Sequence, residues 1–187
     1  MEIKNILKDN NIIGVVSKYK SNFRFNGKVS ALEVKNISKA LKMVGLDDTY
    51  LEYDYDNLTI SELWKIELLT KLDKDVIIVG NMYDSLIYKD REYMKKLFIK
   101  LSNDYHKKIV IIDNNVNSFI NVANKIVVIK DKDIIFETSD LFDEKLYEYV
   151  MMPKMVEFIT YVNKDKIRVD KTLEIYELLK DIYRRVS

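Results

Sequence analysis

The feature that most constrains the fold of this chain is the segment spanning residues 74–101. It contains an unbroken run of β-branched residues, Val76 to Val79, preceded by charged residues. Such a run predicts a strand of a parallel sheet that is buried on both faces. The run ends at Gly80-Asn81, where the carboxyl end of a parallel strand meets a cleft. Apolar residues then recur at helical spacing, at Met94, Leu97, Phe98 and Leu101. The segment predicts a strand, a loop that carries a site, and a helix packed on the sheet, with the rest of the chain organised around it.

The remaining pattern predicts further strands and helices. Strands are expected over residues 2–7, 11–17, 108–113, 126–129 and 134–136, the last two as a hairpin. Helices are expected over residues 30–44 and 59–72, each opened by an S/T-x-x-E capping box, and over residues 116–122, 140–150, 153–162 and 171–186. The chain is therefore predicted to be α/β, with a mostly parallel sheet and flanking helices in residues 1–150 and an α-rich C-terminal extension in residues 151–187. The first helix of that extension is expected to have one apolar face, formed by Met155, Phe158, Ile159 and Val162. The last helix is expected to carry Ile175, Leu178, Leu179 and Ile182 inward.

Composition limits the classes of function. The net charge is +1, from 31 Lys and Arg against 30 Asp and Glu, which gives no bulk attraction to nucleic acid or to a membrane. The absence of cysteine excludes disulfides and thiolate chemistry, and no apolar run is long enough to cross a bilayer. We expect a cytoplasmic protein, with a peripheral place on a membrane complex left open. With only four glycines, a glycine-rich phosphate cradle is difficult to build.

Taken in order, five segments resemble an ATP-binding subunit of the ABC type, in particular the ATPases of energy-coupling-factor importers for cobalt and vitamins. Ala40–Leu46 is similar to the end of the helix that precedes the family's LSGGQ signature, and Leu58–Glu62 stands at the signature itself. Val76–Asn81 stands at the Walker B strand, and Ile109–Asn115 at the strand before the switch histidine. Residues 151–186 are similar to the C-terminal extension of these ATPases. The resemblance implies a truncated P-loop NTPase fold.

The residues after the Walker B strand differ from those that hydrolyse ATP in this family. The family places there a carboxylate that binds Mg²⁺ and a glutamate that polarises the attacking water. This chain has Gly80, which cannot bind a metal, and Asn81, which cannot accept a proton but could orient a water. The switch histidine is replaced by Asn114, and the acidic residue of the following loop by Ile87.

The signature position is equally altered. The family's two glycines let backbone N–H groups approach the γ-phosphate at a helix N-terminus. Here Ile60 crowds that position. Glu62, which reaches back to Thr59 in the capping box, adds negative charge where phosphate would lie. Only Ser61 remains as a candidate donor.

The phosphate loop would follow the strand that ends at Ser17, with the pattern G-x-x-x-x-G-K-[ST]. Residues 17–24 contain no glycine, and Phe23 stands at the lysine position. A later register reaches Gly27-Lys28, but Val29 replaces the hydroxyl residue that binds Mg²⁺. The interval that follows is too short for the family's β-subdomain and glutamine loop, so contacts to the nucleotide base and to a transporter's coupling helix are both expected to be lost.

The leading hypothesis is a degenerate, non-hydrolytic protein of the ABC type, with no catalytic residue, no metal and no resident cofactor. It would act as a structural or regulatory interaction subunit, either as a homodimer or as a heterodimer with a competent ABC-type ATPase subunit. In this family the C-terminal extension supports dimerisation. No nucleic acid partner and no membrane insertion are expected, and coupling to a transporter's membrane subunit is doubtful.

Two alternatives are retained. The first is a non-hydrolytic module for a nucleotide or small anion, with weak ATP or ADP binding left open, in the cleft beyond Gly80, Asn81 and Asn114. Its positive charge would come from Lys18, Lys20 and Lys28. The second, a different enzyme on the same scaffold, is disfavoured because no acid–base pair, nucleophile pair or metal cluster can be assembled from the sequence.

Other polar and aromatic groups are interpreted as ordinary surface or core. His106 is expected on the surface, and Trp64 is expected to pack beneath the signature-like helix. The carboxyl groups of Asp84, Asp90 and Asp113 are expected to be solvated in loops rather than bound to a cation.

Overall fold

The computed structural model describes residues 3–17, 27–164 and 169–186, and within them it forms a five-stranded sheet flanked by helices. The strands are β1 (Ile12–Val16), β2 (Val76–Gly80), β3 (Lys108–Asp113), β4 (Lys125–Lys130) and β5 (Asp133–Thr138). Their spatial order is β2-β3-β1-β4-β5. The pairs β2–β3, β3–β1 and β1–β4 are parallel, whereas β4–β5 is an antiparallel hairpin. The predicted α/β class, with a mostly parallel sheet, is confirmed.

The helices of the described residues are α1 (Ile3–Asp9), α2 (Ile37–Met43), α3 (Ile60–Leu69), α4 (Tyr88–Tyr105), α5 (Lys154–Lys164) and α6 (Ile175–Val186). Shorter 3₁₀ helices lie at Val29–Ala31, Asp48–Glu52, Tyr55–Asn57, Tyr83–Ser85, Val116–Ser118 and Glu144–Glu148. The predicted helices at 116–122 and 140–150 are therefore wrong in type, because each contains only one 3₁₀ turn.

The core lies on both faces of the sheet. On one face, α2, α3 and α4 pack their apolar residues against alternate strand positions, among them Ile77 and Val79 of β2. The four helical positions predicted to face the sheet, Met94, Leu97, Phe98 and Leu101, are all buried. On the other face, Ile6 and Leu7 of α1 cover the centre of the sheet. The ring of Phe119 fills the space beside Gly14 of β1, where an added Cβ would lie 2.6 Å from the ring carbon Cγ.

The strand β2, predicted to be buried on both faces, is an edge strand. β2 pairs only with β3, and the side chains of Val76 and Ile78 remain 38% and 44% exposed. The prediction that this strand is buried on both faces is wrong, because α1 packs against β1, β3 and β4 instead. The centre of the sheet is β1, which has neighbours on both sides and five consecutive buried residues.

The predicted strand at residues 2–7 is wrong, because this segment forms α1. Its apolar residues recur at positions 3, 6 and 7, which is helical spacing, and Ile6 and Leu7 pack on the sheet. The side chain of Asn10 donates to the carbonyl of Ile6 at 2.9 Å, which closes the end of the helix.

The helix predicted from Ser30 begins seven residues later. The backbone N–H of Val29 donates to the carbonyl of Tyr53 at 3.0 Å, and a 3₁₀ turn and an extended residue follow. The helix α2 is instead opened by Asn36, whose side chain accepts from the N–H of Lys39 at 3.3 Å. Its end agrees with the prediction, because Gly45 has a left-handed φ of 73° directly after the helix.

The C-terminal extension packs as a small cluster formed by Ile159, Val169 and Leu178, with Phe142 and Ile182 against it. The prediction that Ile175 and Leu179 point inward is wrong, since they are 55% and 57% exposed. Phe158, on the predicted apolar face of α5, is 46% exposed. The sequence Ile167-Arg168-Val169 also predicts a short extended piece, of which only Val169 lies among the described residues. The division of the chain at residue 150 stays a prediction.

Candidate functional site

The carboxyl ends of β1, β2 and β3 meet at one edge of the sheet, here called the carboxyl edge. The N–H of Ser17 donates to the carbonyl of Asp113 at 3.3 Å, and the N–H of Asn81 donates to the carbonyl of Ile112 at 2.8 Å. Ser17, Asn81 and Asn114 therefore follow neighbouring strands at this edge, as the sequence predicts. Asn81 has a left-handed φ of 54°, which turns the chain away from the sheet directly after Gly80.

The carboxyl group of Asp113 is buried at this edge and is bound on every side. The residue is 1% exposed. Its Oδ2 accepts from the hydroxyl of Ser118 at 2.7 Å and from the N–H of Tyr83 at 3.4 Å, and its Oδ1 accepts from the N–H of Asn115 at 3.0 Å. The prediction of a solvated loop carboxyl group is wrong for Asp113, which holds the loops after β2 and β3 together.

The two other aspartates singled out in the sequence lie apart from this network. Asp84 is exposed and Asp90 is half-buried. Among the residues that the structure describes, no three His, Asp or Glu side chains form a group that could hold a metal ion. His106 is exposed and ends α4 in a left-handed conformation, which confirms its predicted place on the surface.

A cleft of about 680 Å³ opens beside the carboxyl edge. Its walls include Ser17 and Asn114 at the ends of β1 and β3, together with Lys130 at the end of β4. The rest of its lining is mostly apolar: Val16, Val128, Ile129, Ile135, Tyr149 and Val150, with Asp131. Lys28, which was expected to supply charge here, is not part of the lining and pairs with Glu52 at 3.2 Å. Lys18 and Lys20 lie outside the described residues.

At the signature-like position, the start of α3 is closed by its own side chains. The predicted capping box is present: the N–H of Thr59 donates to Oε2 of Glu62 at 2.7 Å, and the N–H of Glu62 donates to Oγ1 of Thr59 at 3.3 Å. The hydroxyl of Tyr50 donates to the other oxygen, Oε1 of Glu62, at 2.5 Å. Both Glu62 oxygens are thus occupied, and Ser61, the remaining candidate donor, is half-buried.

The protonation of this cap follows from its hydrogen bonds. The bond to Glu62, with a smaller effect of burial, raises the pKa of Tyr50 to about 12. Burial alone would raise the pKa of Glu62, but the hydrogen bonds from Tyr50 and Thr59 outweigh it and lower that pKa. At neutral pH the helix therefore begins with a fixed negative charge. An incoming phosphate would meet like charge at this position.

Trp64 ties α3 to the loop after β2. It is 1% exposed, and its Nε1 donates to the hydroxyl oxygen of Ser85 at 2.9 Å. That hydroxyl donates in turn to the carbonyl of Met82 at 2.8 Å. The prediction that Trp64 packs beneath the signature-like helix is confirmed, and the signature-like helix and the loop after Asn81 are joined through it.

Sequence reasoning did not identify Arg91 as part of this region. Its guanidinium carbon lies 3.9 Å from the centroid of the Tyr83 ring, and its Nε is buried without a hydrogen-bond partner among the described residues. Tyr83 is the residue whose N–H donates to Asp113. The two residues are eight positions apart across a loop, so no local pattern could have paired them. Ile87, at the family's acidic position, is 69% exposed.

Helices of the described residues are all too short or too polar to cross a membrane.

No protein-family model matches the sequence. The chain is 21% identical over 146 residues to the energy-coupling factor transporter ATP-binding protein EcfA2 of Spiroplasma kunkelii, covering 75% of this chain and 48% of that protein. It is 25% identical over 140 residues to the protein of the same name from Staphylococcus aureus, covering 71% of this chain and 49% of that protein. The chain thus spans about half the length of the curated relatives it matches.

Solved structures show the same fold. The cbiO1 protein of Clostridium perfringens, described as part of the ABC transporter complex cbiONQ, superposes with a TM-score of 0.57 at 16% identity, over 89% of this chain and 69% of that one. A dimeric ATP-binding cassette bound to ADP and Pi superposes with a TM-score of 0.52 at 15% identity, over 74% of this chain and 68% of that one. The chain is therefore a distant relative of energy-coupling-factor ATP-binding subunits and has the α/β fold of ABC cassettes in a shortened form.

Proposed function

We propose that the protein is a non-hydrolytic member of this group that acts as a structural or regulatory subunit through protein contacts. The observation that carries the proposal is the state of Asp113, the acidic side chain that ends β3 at the carboxyl edge. Both of its oxygens accept hydrogen bonds within the chain, from Ser118, Asn115 and Tyr83. The side chain is also 1% exposed, so it is engaged in holding the loops together rather than directed at a Mg²⁺ ion or an attacking water.

The neighbouring positions support the same proposal. ATP hydrolysis needs a carboxylate on Mg²⁺ and a group that orients and polarises the attacking water. After β2 the chain offers Gly80 and the amide of Asn81, and after β3 the amide of Asn114. An amide can orient a water but cannot take its proton. At the signature-like position, the carboxylate of Glu62 stands in place of an anion-binding helix start.

An apolar face of α6 supports the proposed role in protein contacts. Apolar residues span about half of the circumference of this helix. One part, with Leu178, is buried in the extension, while a stripe formed by Tyr176, Leu179 and Tyr183 is exposed. The spacing of three and then four residues in this stripe is that of a coiled-coil seam.

Most of the charged residues of α6 form ion pairs within the chain, so the exposed apolar stripe is what supports a contact here. Glu177 lies 3.8 Å from Lys180, and Arg185 pairs with Asp181 at 2.9 Å and with Asp170 at 3.3 Å. Leu179 lies at the centre of the stripe. One structurally similar cassette is described as dimeric. We propose that α6 joins this chain to a second copy or to an ABC-type ATPase subunit.

The absence of hydrolysis is tested with purified protein and Mg²⁺-ATP, with a competent ATPase of the same group as the positive control. We expect phosphate release at the buffer background. Magnesium-dependent hydrolysis that the Asn81→Ala substitution abolishes would overturn the proposal, because contamination does not respond to this change.

The contact role is tested by light scattering after size-exclusion chromatography. We expect a dimer that Leu179→Lys converts to a monomer, while Ile99→Lys, a matched change at an exposed position of α4, leaves it intact. If the wild-type chain is monomeric, the same variant pair is tested for capture by a competent ATPase subunit. Equal behaviour of the two variants in both assays would contradict a role for α6.

A second candidate function is a non-hydrolytic site for a nucleotide or small anion in the cleft beside the carboxyl edge. The observation that favours it is the meeting of Ser17, Asn114 and Lys130 in one opening of about 680 Å³. Thermal unfolding with millimolar ATP, ADP, GTP or phosphate tests it. A rise of several degrees that Lys130→Gln removes would support this candidate, and no rise with any of the four would exclude it at that concentration.

A further inference from the structure

A second opening lies between the end of α2 and the middle of α4, and it shares no lining residue with the cleft beside the carboxyl edge. It has a volume of about 220 Å³ and is here called the basic pocket. It is lined by Lys42, Met43, Gly45, Tyr93, Lys96, Leu97 and Lys100. Three of the seven lining residues are lysines and none is acidic, so the opening concentrates positive charge on a chain whose net charge is only +1.

The lysines of the basic pocket are poorly neutralised. Lys96 and Lys100 stand one turn apart on α4, and neither forms an ion pair with a residue that the structure describes. Lys42 approaches Asp48 at 3.8 Å, with both side chains more than half exposed. Such an exposed pair contributes little. Like charges gathered around an opening without acidic partners favour the entry of an anion.

The aromatic wall of the pocket is fixed in place. The hydroxyl of Tyr93 donates to the carbonyl of Val44 at 3.2 Å, and it packs so closely on Gly45 that a Cβ there would lie 1.9 Å from it. The ammonium group of Lys65 lies 4.4 Å from the centroid of the Tyr93 ring, which adds a fourth positive charge nearby. The wall therefore has the pre-organisation that ligand binding requires.

The end of α2 does not repel an anion as an open helix C-terminus would. Gly45 and Leu46 form a Schellman motif: the N–H of Gly45 donates to the carbonyl of Lys42 at 3.2 Å, and the N–H of Leu46 to that of Leu41 at 2.9 Å. The carbonyl of Val44 is taken by Tyr93. The carbonyl oxygens of Leu41, Lys42 and Val44 are thus engaged by groups of the chain itself.

We propose that the basic pocket binds a compact multivalent anion, namely the phosphate or diphosphate group of a small ligand. The anion would lie among Lys42, Lys96 and Lys100, and any apolar part of the ligand would contact Met43 and Tyr93. The volume is below the range of about 300–1,000 Å³ that suits larger organic ligands, which favours a small one. The site is separate from the cleft beside the carboxyl edge and does not depend on the proposed loss of ATP hydrolysis.

Inorganic pyrophosphate is the probe for this proposal, titrated by calorimetry into the full-length chain at two salt concentrations. We expect one site per chain, weakened about tenfold by the double substitution Lys96→Gln with Lys100→Gln, because charge-assisted hydrogen bonds are lost. The matched control is Lys89→Gln with Lys145→Gln. It removes the same charge, from α4 and from an exposed turn, outside the basic pocket.

The position of the site is tested by amide chemical shifts, which are expected to change at residues 42–46 and 93–100. Equal weakening in the two double variants would overturn the proposal, because it would show a response to net charge alone. No binding by the wild-type chain at millimolar pyrophosphate, or loss of binding in Lys130→Gln but not in the Lys96 and Lys100 pair, would also overturn it. Binding of an acidic peptide without binding of pyrophosphate would replace the ligand class and refute the one proposed.

Discussion

The substitution Asp113→Asn tests the structural assignment of the carboxyl edge. It keeps the size of the side chain but replaces one acceptor oxygen with an NH₂ donor. If the NH₂ takes the place of Oδ2, the hydroxyl of Ser118 can rotate to accept, but the backbone N–H of Tyr83 cannot. If the amide flips, the N–H of Asn115 faces a donor instead. In either orientation one backbone N–H at a buried site loses its acceptor.

The cost follows from that count. An unsatisfied buried N–H costs about 1–3 kcal/mol, so we expect Asp113→Asn to lower the free energy of unfolding by about 2 kcal/mol. For a chain of this size, about 2 kcal/mol corresponds to a fall in Tm of roughly 4–8 °C. Asp113→Ala leaves two backbone N–H groups, those of Tyr83 and Asn115, without an acceptor and is expected to cost about 4 kcal/mol, at about 2 kcal/mol for each. Ser118→Ala removes one hydrogen bond to Asp113 and is expected to cost about 1 kcal/mol.

Urea unfolding followed by circular dichroism measures these differences, provided that the slope with urea stays the same. Asp84→Asn is the matched control, since Asp84 is exposed and its change should stay within about 0.5 kcal/mol. Midpoints for the Asp113 variants that equal the wild-type midpoint would refute the hydrogen-bond network. A wild-type stabilisation by Mg²⁺ that disappears only in Asp113→Asn would instead identify a metal ligand and refute the structural assignment.

Three further substitutions extend the test to other parts of the fold. Hydrogen bonds hold the pKa of Glu62 below its ordinary value of 4.5, so its contribution to stability is present above that pH and is lost as the pH falls through the folded-state pKa. Glu62→Gln is therefore expected to cost about 1 kcal/mol at pH 7 in thermal unfolding, and the difference from wild type is expected to close below pH 4.5. A difference that stays constant with pH would refute this. Gly45→Ala places a methyl group 1.9 Å from the hydroxyl of Tyr93 at a φ of +73°. Because the partly exposed Tyr93 must then move and give up its hydrogen bond to Val44, we expect urea unfolding to show a loss of about 2 kcal/mol. Gly27→Ala, which has a φ of +86° but no atom within 4 Å, is expected to lose about 1 kcal/mol, and equal losses would show that the contact is unimportant. Gly14→Ala inserts a methyl group 2.6 Å from an aromatic ring carbon in the centre of the sheet and is expected to cost about 2 kcal/mol by the same measurement, so an unchanged midpoint would refute the close packing at β1.

The two capping boxes show what local sequence can and cannot predict. Thr59 and Glu62 form the predicted box, and α3 begins where the pattern places it. Ser30 and Glu33 carry the same pattern, but the backbone before Ser30 is paired with Tyr53, and the helix starts later, at Ile37, with Asn36 as its cap. A local signal therefore holds only where no distant partner competes for the same backbone groups.

The strands likewise show which features local sequence predicts and which depend on distant segments. Apolar runs correctly located β1 to β5, but the position of each strand within the sheet depends on pairings between distant segments. Nothing in the run Val76 to Val79 distinguishes an edge strand from a central one. Whether this strand is exposed depends on which other segments of the chain pack beside it and over it. Asp113 was misread for a similar reason: its donors include Tyr83, thirty residues away in sequence.

Strand order also has a consequence for how the chain folds during synthesis. The strand at the centre of the sheet, β1, is the first to be made, and both of its neighbours, β3 and β4, follow about a hundred residues later. Until then, five consecutive apolar residues of β1 have no sheet partner. Pairings over such distances form slowly and leave apolar segments open to aggregation. We infer that the nascent chain passes through a long unpaired stage, in which the yield of folded protein depends more on protection of the N-terminal segment than on the stability of the finished sheet.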